Sequence, residues 1–382
     1  MQKILTAKIM LVPASSDKQC LLDAMKAYSA ACNYVSEYVS DNNMPLIQAR
    51  IHGAVYKKCR SKYGLPSQMA ASVTRTVITS YKKEDGIKNR RDQKRPVFKA
   101  PQLSLVWNRD YSLIWNAERT ESLFSIGTLQ GRVKCSFRDD ALGWAFTKDA
   151  KYGTAKLVFK HGKFFLHVPV TVEVPDVPDA SEYVRVVGVD RGMRFLATTY
   201  DGRRTSFYSG AKVGNRLAHN KEILGRLRMR KTSSARRRFR AIRQMESRWM
   251  NDVNHCLSKT LVSSNPGNTL FVLENFNGAG EAHRRVRVNG RVVEARWPYR
   301  DFEKKIAYKA SRLKSSVIFA DPTHTSHTCP VCGRVDKKSR KYETHTFKCI
   351  ACGYTTNDDR AGAMNLQRMG IEYLLKAQVS KT

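Results

Sequence analysis

Four cysteines in the last fifth of the chain restrict its fold more than any other feature. They form two Cys-x-x-Cys pairs, Cys329 with Cys332 and Cys349 with Cys352, and a glycine follows each pair. Four thiolates at this spacing can surround one zinc ion, because a turn after each pair brings both sulfur atoms to the metal. A complete cysteine shell leaves no open coordination position, so we expect a small zinc ribbon with a structural Zn²⁺ rather than a catalytic zinc.

The charge of the chain indicates a polyanionic partner. Of its 382 residues, 68 are Lys or Arg and 33 are Asp or Glu, which gives a formal net charge of +35. Solubility alone requires a net charge of only about two to eight in a small domain. A much larger positive excess attracts nucleic acid. We therefore predict a nucleic-acid-binding protein.

The remaining cysteines and the hydropathy pattern bear on the compartment. Five cysteines lie scattered outside the two pairs, and no secretory signal is apparent. No apolar run approaches the length of about 18 residues that a transmembrane helix requires. We expect a soluble protein of a reducing compartment, without a membrane partner.

Apolar periodicity divides the chain into helical and β-rich stretches. Apolar residues recur at helical spacing from 21 to 35, and two further helices are predicted at roughly 45–62 and 67–83. Between 103 and 174 the period changes to two, and the sequence predicts a hairpin that turns at His161 and Gly162. We expect the N-terminal strand to complete this β-rich module.

Three carboxylates lie at the ends of predicted elements. Asp190 follows the β-branched run 184–189, Glu274 ends the apolar strand 269–273, and Asp359 opens a helical pattern rich in small residues. Each has an ordinary explanation when taken singly. An Asp beside a turn readily bonds its own backbone, and a Glu at a strand end can simply face water.

Taken together, the three acids have the arrangement of an RNase H-like nuclease, with a first strand, a later parallel strand and a C-terminal helix contributing one acid each. Two divalent ions about 4 Å apart promote phosphodiester hydrolysis, since one activates water and the other stabilises the leaving oxygen. Carboxylate oxygens suit Mg²⁺, which retains some of its waters. We predict Asp190, Glu274 and Asp359 as catalytic residues and magnesium ligands.

The motifs around these acids resemble one known family. GVDRG at Asp190, LEN at Glu274 and the cysteine ribbon followed by NDDRAGAMNL at Asp359 resemble the split RuvC nuclease of TnpB. TnpB is a transposon-encoded, RNA-guided DNA endonuclease related to type V CRISPR effectors. The resemblance is dense from about residue 184 to 368 and looser before that.

Further matches extend the resemblance. Asp252, His255 and Ser258 resemble the D-x-x-H-x-x-S helix of the family, and DPTHTSHTCPVCG resembles the segment that enters its ribbon. The family's alignment favours Asp359 over the adjacent Asp358 as the metal ligand. Asp358 would then serve the helix N-terminus, where a negative charge is favourable.

The resemblance implies an α+β multidomain fold, in which an RNase H-like (RuvC) nuclease domain with an inserted zinc ribbon accompanies a β-barrel wedge module and a helical recognition lobe. The implied division is the first wedge strand at 1–14, the recognition lobe at 15–100, the rest of the wedge module and a linker at 101–180, the first part of the RuvC domain with a basic helical insertion at 181–323, the zinc ribbon at 324–355, and the RuvC C-terminal helix and tail at 356–382.

The implied activity is RNA-guided cutting of double-stranded DNA next to a short flanking motif, by metal-dependent phosphodiester hydrolysis. The partners would be a guide RNA from the transposon end and the target DNA, with the protein a monomer in its RNA complex. The cofactors would be Zn²⁺ and Mg²⁺, and the location the cytoplasm of a bacterium or archaeon, at the nucleoid when bound to DNA. Two alternatives remain: an RNA-guided regulator that binds DNA without efficient cutting, and a guide-independent DNA-packing protein.

The most basic tract lies between the first two acids. Residues 201–249 contain fifteen Lys or Arg and three acids. A solvated helical face is the ordinary explanation, but so large an excess of one sign favours contact with the phosphates of a guide–target duplex. The predicted nucleic-acid contacts are Arg226, Arg228, Arg230, Arg236, Arg237 and Arg238 in this tract and Lys337 and Lys338 in the ribbon.

Overall fold

The protein is described by a computed structural model that covers residues 2–84, 95–115, 122–137, 145–146, 150–275, 284–288, 291–295, 297–323, 325–341 and 343–379. The chain forms two compact units. One comprises Gln2–Glu173, and the other comprises Val174–Thr382 together with Met1.

The N-terminal unit is an antiparallel sheet with three helices inserted after its first strand. Its elements are β1 (Gln2–Pro13), α1 (Asp17–Asp41), α2 (Gln48–Tyr63), α3 (Ser67–Glu84), β2 (Gln102–Leu105), β3 (Tyr111–Trp115), β4 (Ser122–Thr128), β5 (Gly131–Phe137), β6 (Lys151–Tyr152), β7 (Ala155–Lys160) and β8 (Lys163–Glu173). The strand order is β2-β7-β8-β1-β5-β4-β3, with β6 on β8. Among the described strands β2 does not pair with β3, so the sheet approaches a barrel without closing it.

Two local predictions for this unit are confirmed. β7 and β8 form the expected hairpin, whose turn residues His161 and Gly162 have φ angles of 55° and 74°. These left-handed conformations suit a tight two-residue turn. β1 pairs with both β8 and β5 and thereby completes the β-rich module.

The C-terminal unit is built on a mixed five-stranded sheet with the order β11-β10-β9-β12-β15. Its elements are β9 (Arg185–Asp190), β10 (Phe195–Tyr200), β11 (Thr205–Ser209), α4 (Ala211–Met229), α5 (Ser233–Ser263), β12 (Thr269–Glu274), β13 (Arg284–Val288), β14 (Arg291–Ala295), α6 (Tyr299–Ser311), β15 (Ser316–Ala320), a 3-10 helix (Lys337–Ser339), β16 (Arg340–Lys341), β17 (Thr346–Lys348), β18 (Thr355–Asn357) and α7 (Asp358–Val379). β12 is parallel to both β9 and β15, whereas β10 is antiparallel to β9 and β11.

Both faces of this sheet are covered, which explains why its central strands are continuously apolar. Val187 and Phe271 belong to the core that contains residues of α5 and α6. Val186 and Val272 belong to the core that contains Leu366 of α7. Because successive side chains of a strand point to opposite faces, odd and even positions contact different helices.

Candidate active site and metal centre

The four ribbon cysteines converge on one point. Their Sγ atoms all lie within 4.8 Å of one another. The Sγ atoms of Cys329 and Cys352 are 3.7 Å apart, and those of Cys332 and Cys349 are 3.6 Å apart. A tetrahedral zinc with Zn–S bonds of about 2.3 Å separates its sulfur ligands by roughly 3.8 Å. The donor set and its spacing therefore fit one Zn²⁺.

The two Cys-x-x-Cys turns have the same backbone geometry. Gly333 and Gly353 have φ angles of 75° and 73°, and their N–H groups donate to the carbonyl oxygens of Cys329 and Cys349 at 2.9 and 3.0 Å. These left-handed conformations favour glycine. The backbone N–H of Cys352 donates to Sγ of Cys349 at 3.5 Å, a contact that stabilises the thiolate form, which zinc binds.

Asp190 and Glu274 lie side by side at the carboxyl ends of adjacent strands. Val189 pairs with Leu273 in the parallel register of β9 and β12, and the two acids are the next residues along. Alternation puts Asp190 on the face of Val186, and Glu274 on the corresponding face of β12, which α7 covers. The sheet thus brings two of the three predicted acids together.

Helix α7 lies unusually close to this face because glycines replace side chains at the contact. A Cβ atom on Gly188 would lie 2.0 Å from the carbonyl oxygen of Ala363, and one on Gly370 would lie 2.5 Å from Cγ2 of Val272. Such distances exclude any side chain at these two positions. Small residues of α7, Gly362 and Ala363, thus lie at a close contact between this helix and the sheet.

The same packing places the first turns of α7, which carry the third predicted acid, beside Asp190. A Cβ on Gly362 would lie 3.0 Å from Oδ2 of Asp190, so that carboxylate lies against the first turns of α7. Asp359 precedes Gly362 by three residues and therefore lies on the same side of the helix. The Asn357 side chain accepts hydrogen bonds from the N–H groups of Asp359 and Arg360 at 3.0 and 3.1 Å and caps the helix.

Neighbouring charges distinguish Asp358 from Asp359. Asp358 is 1% exposed, and its Oδ2 accepts a hydrogen bond from Nε of Arg340 at 3.1 Å and is 3.0 Å from another guanidinium nitrogen. The same guanidinium nitrogen lies farther from Oδ1 of Asp359, at 3.9 Å. Asp358 is thus the buried ion-pair partner of a ribbon arginine, which fits the assignment of Asp359 as the metal ligand.

Two further residues that the sequence analysis did not assign to the site contact Glu274. The hydroxyl of buried Thr325 donates to Oε1 of Glu274. Arg191 donates to the carbonyl oxygen of Glu274 and forms an ion pair with Glu303 of α6, and its guanidinium lies 5.6 Å from the ring centroid of Tyr299. The sequence places Arg191 next to Asp190 and Thr325 shortly before Cys329, but it does not indicate that both contact Glu274.

The spacing of the acids differs from that of the cysteines. Within the described part of the chain, the cysteine set is the only group of three or more His, Cys, Asp or Glu side chains whose ligand atoms all lie within 4.8 Å of one another. Two ions about 4 Å apart require a wider arrangement of ligands than one tetrahedral ion does. The acids share an edge, but they do not form a single-ion cage.

The predicted arginine contacts lie around the turn between α4 and α5. Arg226, Arg228 and Arg230 lie at the end of α4 and just after it, Arg236, Arg237 and Arg238 begin α5, and all six are exposed. The two helices are joined by a hydrogen bond of 2.7 Å from Asn220 to Glu246 and by a cation–π contact of Arg216 over Trp249. Lys337 and Lys338 are exposed in the 3-10 helix of the ribbon.

The D-x-x-H-x-x-S segment holds α5 against α6. Asp252 is exposed, whereas Ser258 is buried and its Oγ accepts from Nζ of Lys309 at 2.6 Å. The same Nζ donates to the carbonyl oxygen of His255, also at 2.6 Å. Burial lowers the pKa of Lys309 to about 8. These contacts are between helices, so the segment supports the sheet from the side opposite α7.

Comparisons with known proteins agree with this architecture. A family model described as Cas12f1-like, TNB domain, matches residues 299–366. A CRISPR-associated endodeoxyribonuclease Cas12f1 from Sulfoacidibacillus thermotolerans is 37% identical over 83 residues, which cover 22% of this chain and 19% of the relative. A TnpB-like protein of Methanocaldococcus jannaschii is 28% identical over 123 residues, which cover 32% of this chain and 43% of the relative. The matched stretches thus span less than half of these two relatives.

A solved structure shares the fold over nearly the whole chain. It is a Cas12f1–sgRNA–target DNA complex, which superposes with a TM-score of 0.63 at 11% identity and covers 96% of this chain and 98% of that one. Within the described residues, no helix combines the length and apolarity that crossing a membrane demands. The chain is thus similar in sequence to Cas12f1 and TnpB-like proteins over part of its length, and it shares the fold of a Cas12f1 structure.

Proposed function

We propose that this chain is an RNA-guided DNA endonuclease that cuts double-stranded DNA at a RuvC-type site formed by Asp190, Glu274 and Asp359. The observation that carries the proposal is the convergence of β9, β12 and the first turns of α7 at one edge of the mixed sheet. This edge presents carboxylates from three elements at the carboxyl ends of parallel strands, where ligands of α/β sheets commonly bind.

The donor set suits divalent metal ions. Carboxylate oxygens are the ligands that Mg²⁺ prefers, and Mg²⁺ retains several waters, so three acids suffice. Asp190, Glu274 and Asp359 would hold the Mg²⁺ ions, which when bound supply an activated water and stabilisation of the leaving oxygen. The cysteine cluster would hold a structural Zn²⁺ that folds the ribbon.

The residues around the acids prepare them for this role. Arg191 fixes the main chain at Glu274, and the Thr325 hydroxyl contacts its carboxylate. Arg340 pairs with Asp358, so the neighbouring negative charge is compensated within the protein. Metal ligands are commonly held in this way by outer hydrogen-bond partners.

The proposed partners are a guide RNA derived from the transposon end and a target DNA duplex, bound by a protein monomer in the cytoplasm of a bacterium or archaeon. The net charge of +35 and the six exposed arginines around the α4–α5 turn support nucleic-acid binding. One relative is named an endodeoxyribonuclease, and the solved structure that shares the fold is a complex with sgRNA and target DNA. Both names support RNA-guided DNA cutting as the proposed activity. Base pairing would select the target, and the protein would read a short flanking motif.

The domain roles follow from the same proposal. The mixed sheet with α7 would be the RuvC domain, and 324–355 its zinc ribbon. β1 and the segment 101–180 would form the wedge module and its linker, of which residues 174–180 belong to the C-terminal unit, and 15–100 would form the recognition lobe.

The decisive experiment begins with the RNA that copurifies with the protein. After this RNA is sequenced, protein, RNA and Mg²⁺ are incubated with a duplex that matches the guide and with one mismatched beside the flanking motif. We expect cutting of the matched duplex alone, because early mismatches abort strand exchange. The Asp190→Asn protein serves as the matched control and should bind the duplex without cutting it.

Other outcomes separate the alternatives. Cutting of any sequence without RNA would contradict the guided mechanism. Guided binding without cutting in both Mg²⁺ and Mn²⁺ would favour the regulator. Salt-sensitive binding with no RNA requirement and no cutting would favour the DNA-packing protein.

The arginine contacts are tested through salt dependence. Replacing Arg236, Arg237 and Arg238 by Gln should lower the slope of log K against log salt by about one for each lost phosphate contact. The matched Arg→Lys triple variant retains the charges and should retain the slope. An unchanged slope in the Gln variant would show that these three arginines do not contact phosphates.

A further inference from the structure

Thr325 connects three parts of the proposed site. It is buried, and its hydroxyl donates to Oε1 of Glu274 at the end of β12. Its main-chain oxygen accepts from the Asn365 side chain of α7 at 2.8 Å. It also precedes Cys329 by only four residues. A strand-end acid, the helix that carries the third acid, and the entrance to the ribbon therefore meet at one residue.

The hydroxyl has two acceptors within reach, Glu274 Oε1 and the carbonyl oxygen of Pro322 at 3.1 Å, but it has only one proton. An ionised carboxylate is the stronger acceptor, because a charge-assisted hydrogen bond is roughly twice as strong as a neutral one. The proton of Thr325 is therefore directed to Glu274. With one lone pair of Oε1 engaged in this way, Oε2 and the second lone pair of Oε1 remain to bind a metal ion.

The Thr325 backbone is itself held in place. The buried Asn365 side chain donates to the carbonyl oxygens of both Thr325 and Thr328 at 2.8 Å. These two bonds fix the turn 325–328 on α7 independently of the Thr325 side chain. A substitution that changes only the hydroxyl therefore leaves this attachment intact.

Glu274 is thus restrained at both ends. Arg191 binds its main-chain oxygen, while Thr325 binds its carboxylate, and the residue is 7% exposed. A Glu side chain has three rotatable bonds, so without the second contact the carboxylate can adopt several orientations at a fixed backbone. The hydroxyl selects one of them.

We propose that Thr325 is a positioning residue that orients the Glu274 carboxylate for metal binding and couples this orientation to α7 and the ribbon entrance. The inference rests on the proposed function, in which Glu274 is a metal ligand. Hydrogen-bond partners of metal ligands typically change metal affinity or activity by about tenfold to a hundredfold when they are removed. Thr325 should have an effect of this size.

The test compares Thr325→Val, which removes the hydroxyl and keeps the branched shape, with Thr325→Ser, which keeps the hydroxyl. Mn²⁺ binding to the full-length protein is measured by electron paramagnetic resonance. We expect the Val variant to raise the Mn²⁺ dissociation constant by about tenfold or more, with the Ser variant close to the wild type. In the guided cutting assay, the half-saturating Mg²⁺ concentration should shift in the same way.

Two outcomes overturn the proposal. One is wild-type Mn²⁺ affinity in Thr325→Val. The other is an equal loss in the Val and Ser variants, which would assign the effect to the methyl group and hence to packing. Zinc content and melting temperature are measured for each variant. If the Val variant loses zinc, Thr325→Ala replaces it, and wild-type Mn²⁺ affinity in the Ala variant likewise overturns the proposal.

Failure of the proposed function gives a different result. Absence of guided cutting, with Mn²⁺ binding that still depends on Thr325, would overturn the nuclease activity and support the positioning role. Mn²⁺ binding that Glu274→Gln leaves unchanged would overturn the metal site, and the positioning role with it.

Discussion

The cysteine cluster and the proposed carboxylate site are built in two different ways within one unit. All four cysteines come from the short stretch 329–352, and each pair closes its own turn through a local hydrogen bond. The acids lie on β9, β12 and α7, which strand register and helix packing bring to one end of the sheet. The first site depends on local sequence, whereas the second depends on the folded unit.

The two sites also differ in what they leave open. The cysteines supply a complete tetrahedral shell, which suits a structural ion. As proposed Mg²⁺ ligands, the three acids would supply fewer oxygens than two hydrated ions accept, which would leave positions for water and phosphate oxygens. Substitutions should therefore separate the sites, with loss of chemistry at one and loss of structure at the other.

The largest effect is expected at the carboxylate edge. Asp190→Asn, Glu274→Gln and Asp359→Asn should each lower cleavage by more than about a hundredfold, because direct ligands matter more than the partners that orient them. Zinc content and RNA binding should not change. Cleavage is measured as the rate of guided cutting, and zinc content by metal analysis. The control is Glu372→Gln, which changes an exposed acid on α7. Rapid cutting by any of the three variants would remove that residue from the site.

A variant of a ribbon cysteine should lose structure first, and lose cutting only as a consequence. Cys329→Ser should lose most of the bound zinc and loosen the ribbon, since metal binding and folding of such a module are coupled. Lost cutting would then accompany a lower melting temperature. Cys256→Ser, which alters an exposed cysteine outside the cluster, should match the wild type. A zinc-free Cys329→Ser protein that melts and cuts normally would contradict the structural role.

The adjacent acids Asp358 and Asp359 are expected to have different roles, one in stability and the other in cutting. Asp358→Asn removes the carboxylate that lies nearest to the buried Arg340 guanidinium, which should cost about 3 kcal/mol of unfolding free energy. Cutting should persist at temperatures where the variant is folded. Asp359→Asn should show the reverse, with stability retained and cutting lost. Denaturant unfolding and cleavage assays are carried out on both variants. Lost cutting in folded Asp358→Asn, with normal cutting in Asp359→Asn, would reverse the two assignments.

The smallest effects are expected from two glycines. Gly362→Ala places a methyl group 3.0 Å from Oδ2 of Asp190, so that carboxylate must shift, and we expect cutting to fall by about tenfold. Gly333→Ala meets open space but retains a φ of 75°, which should cost about 1 kcal/mol and leave cutting intact. Equal rates for the two variants would show that the acid edge tolerates displacement.

The local parts of this structure could be predicted from the sequence. The cysteine spacing, the His161–Gly162 turn and the helix that starts at the Asp358–Asp359 pair all depend on neighbours in the chain. Period-two alternation predicts strands, and small residues in α7 predict close packing. In such segments, backbone preference and apolar pattern point to the same structure.

The side-chain partners at the site could not be predicted. Thr325 is 51 residues from Glu274 along the chain, and Arg191 is 83 residues from it. A hydrogen bond over such a separation depends on the three-dimensional packing of the whole unit. No periodicity or motif spacing encodes which side chain reaches which carboxylate, so these contacts appear only in the folded unit.

The glycine contact between α7 and β9 has a consequence for how this protein can change. The distance of the helix from the sheet is set by main chain against main chain at Gly188, by the Asp190 side chain that meets Gly362, and by the valine methyl groups that meet Gly370. Rotation of the helix, or a slide by one residue, would drive atoms into each other. The helix can therefore pack on the sheet in only one position. Substitutions at its exposed positions, such as Ile371 and Tyr373, leave Asp359 in place. Stabilising redesign should start at those outward positions.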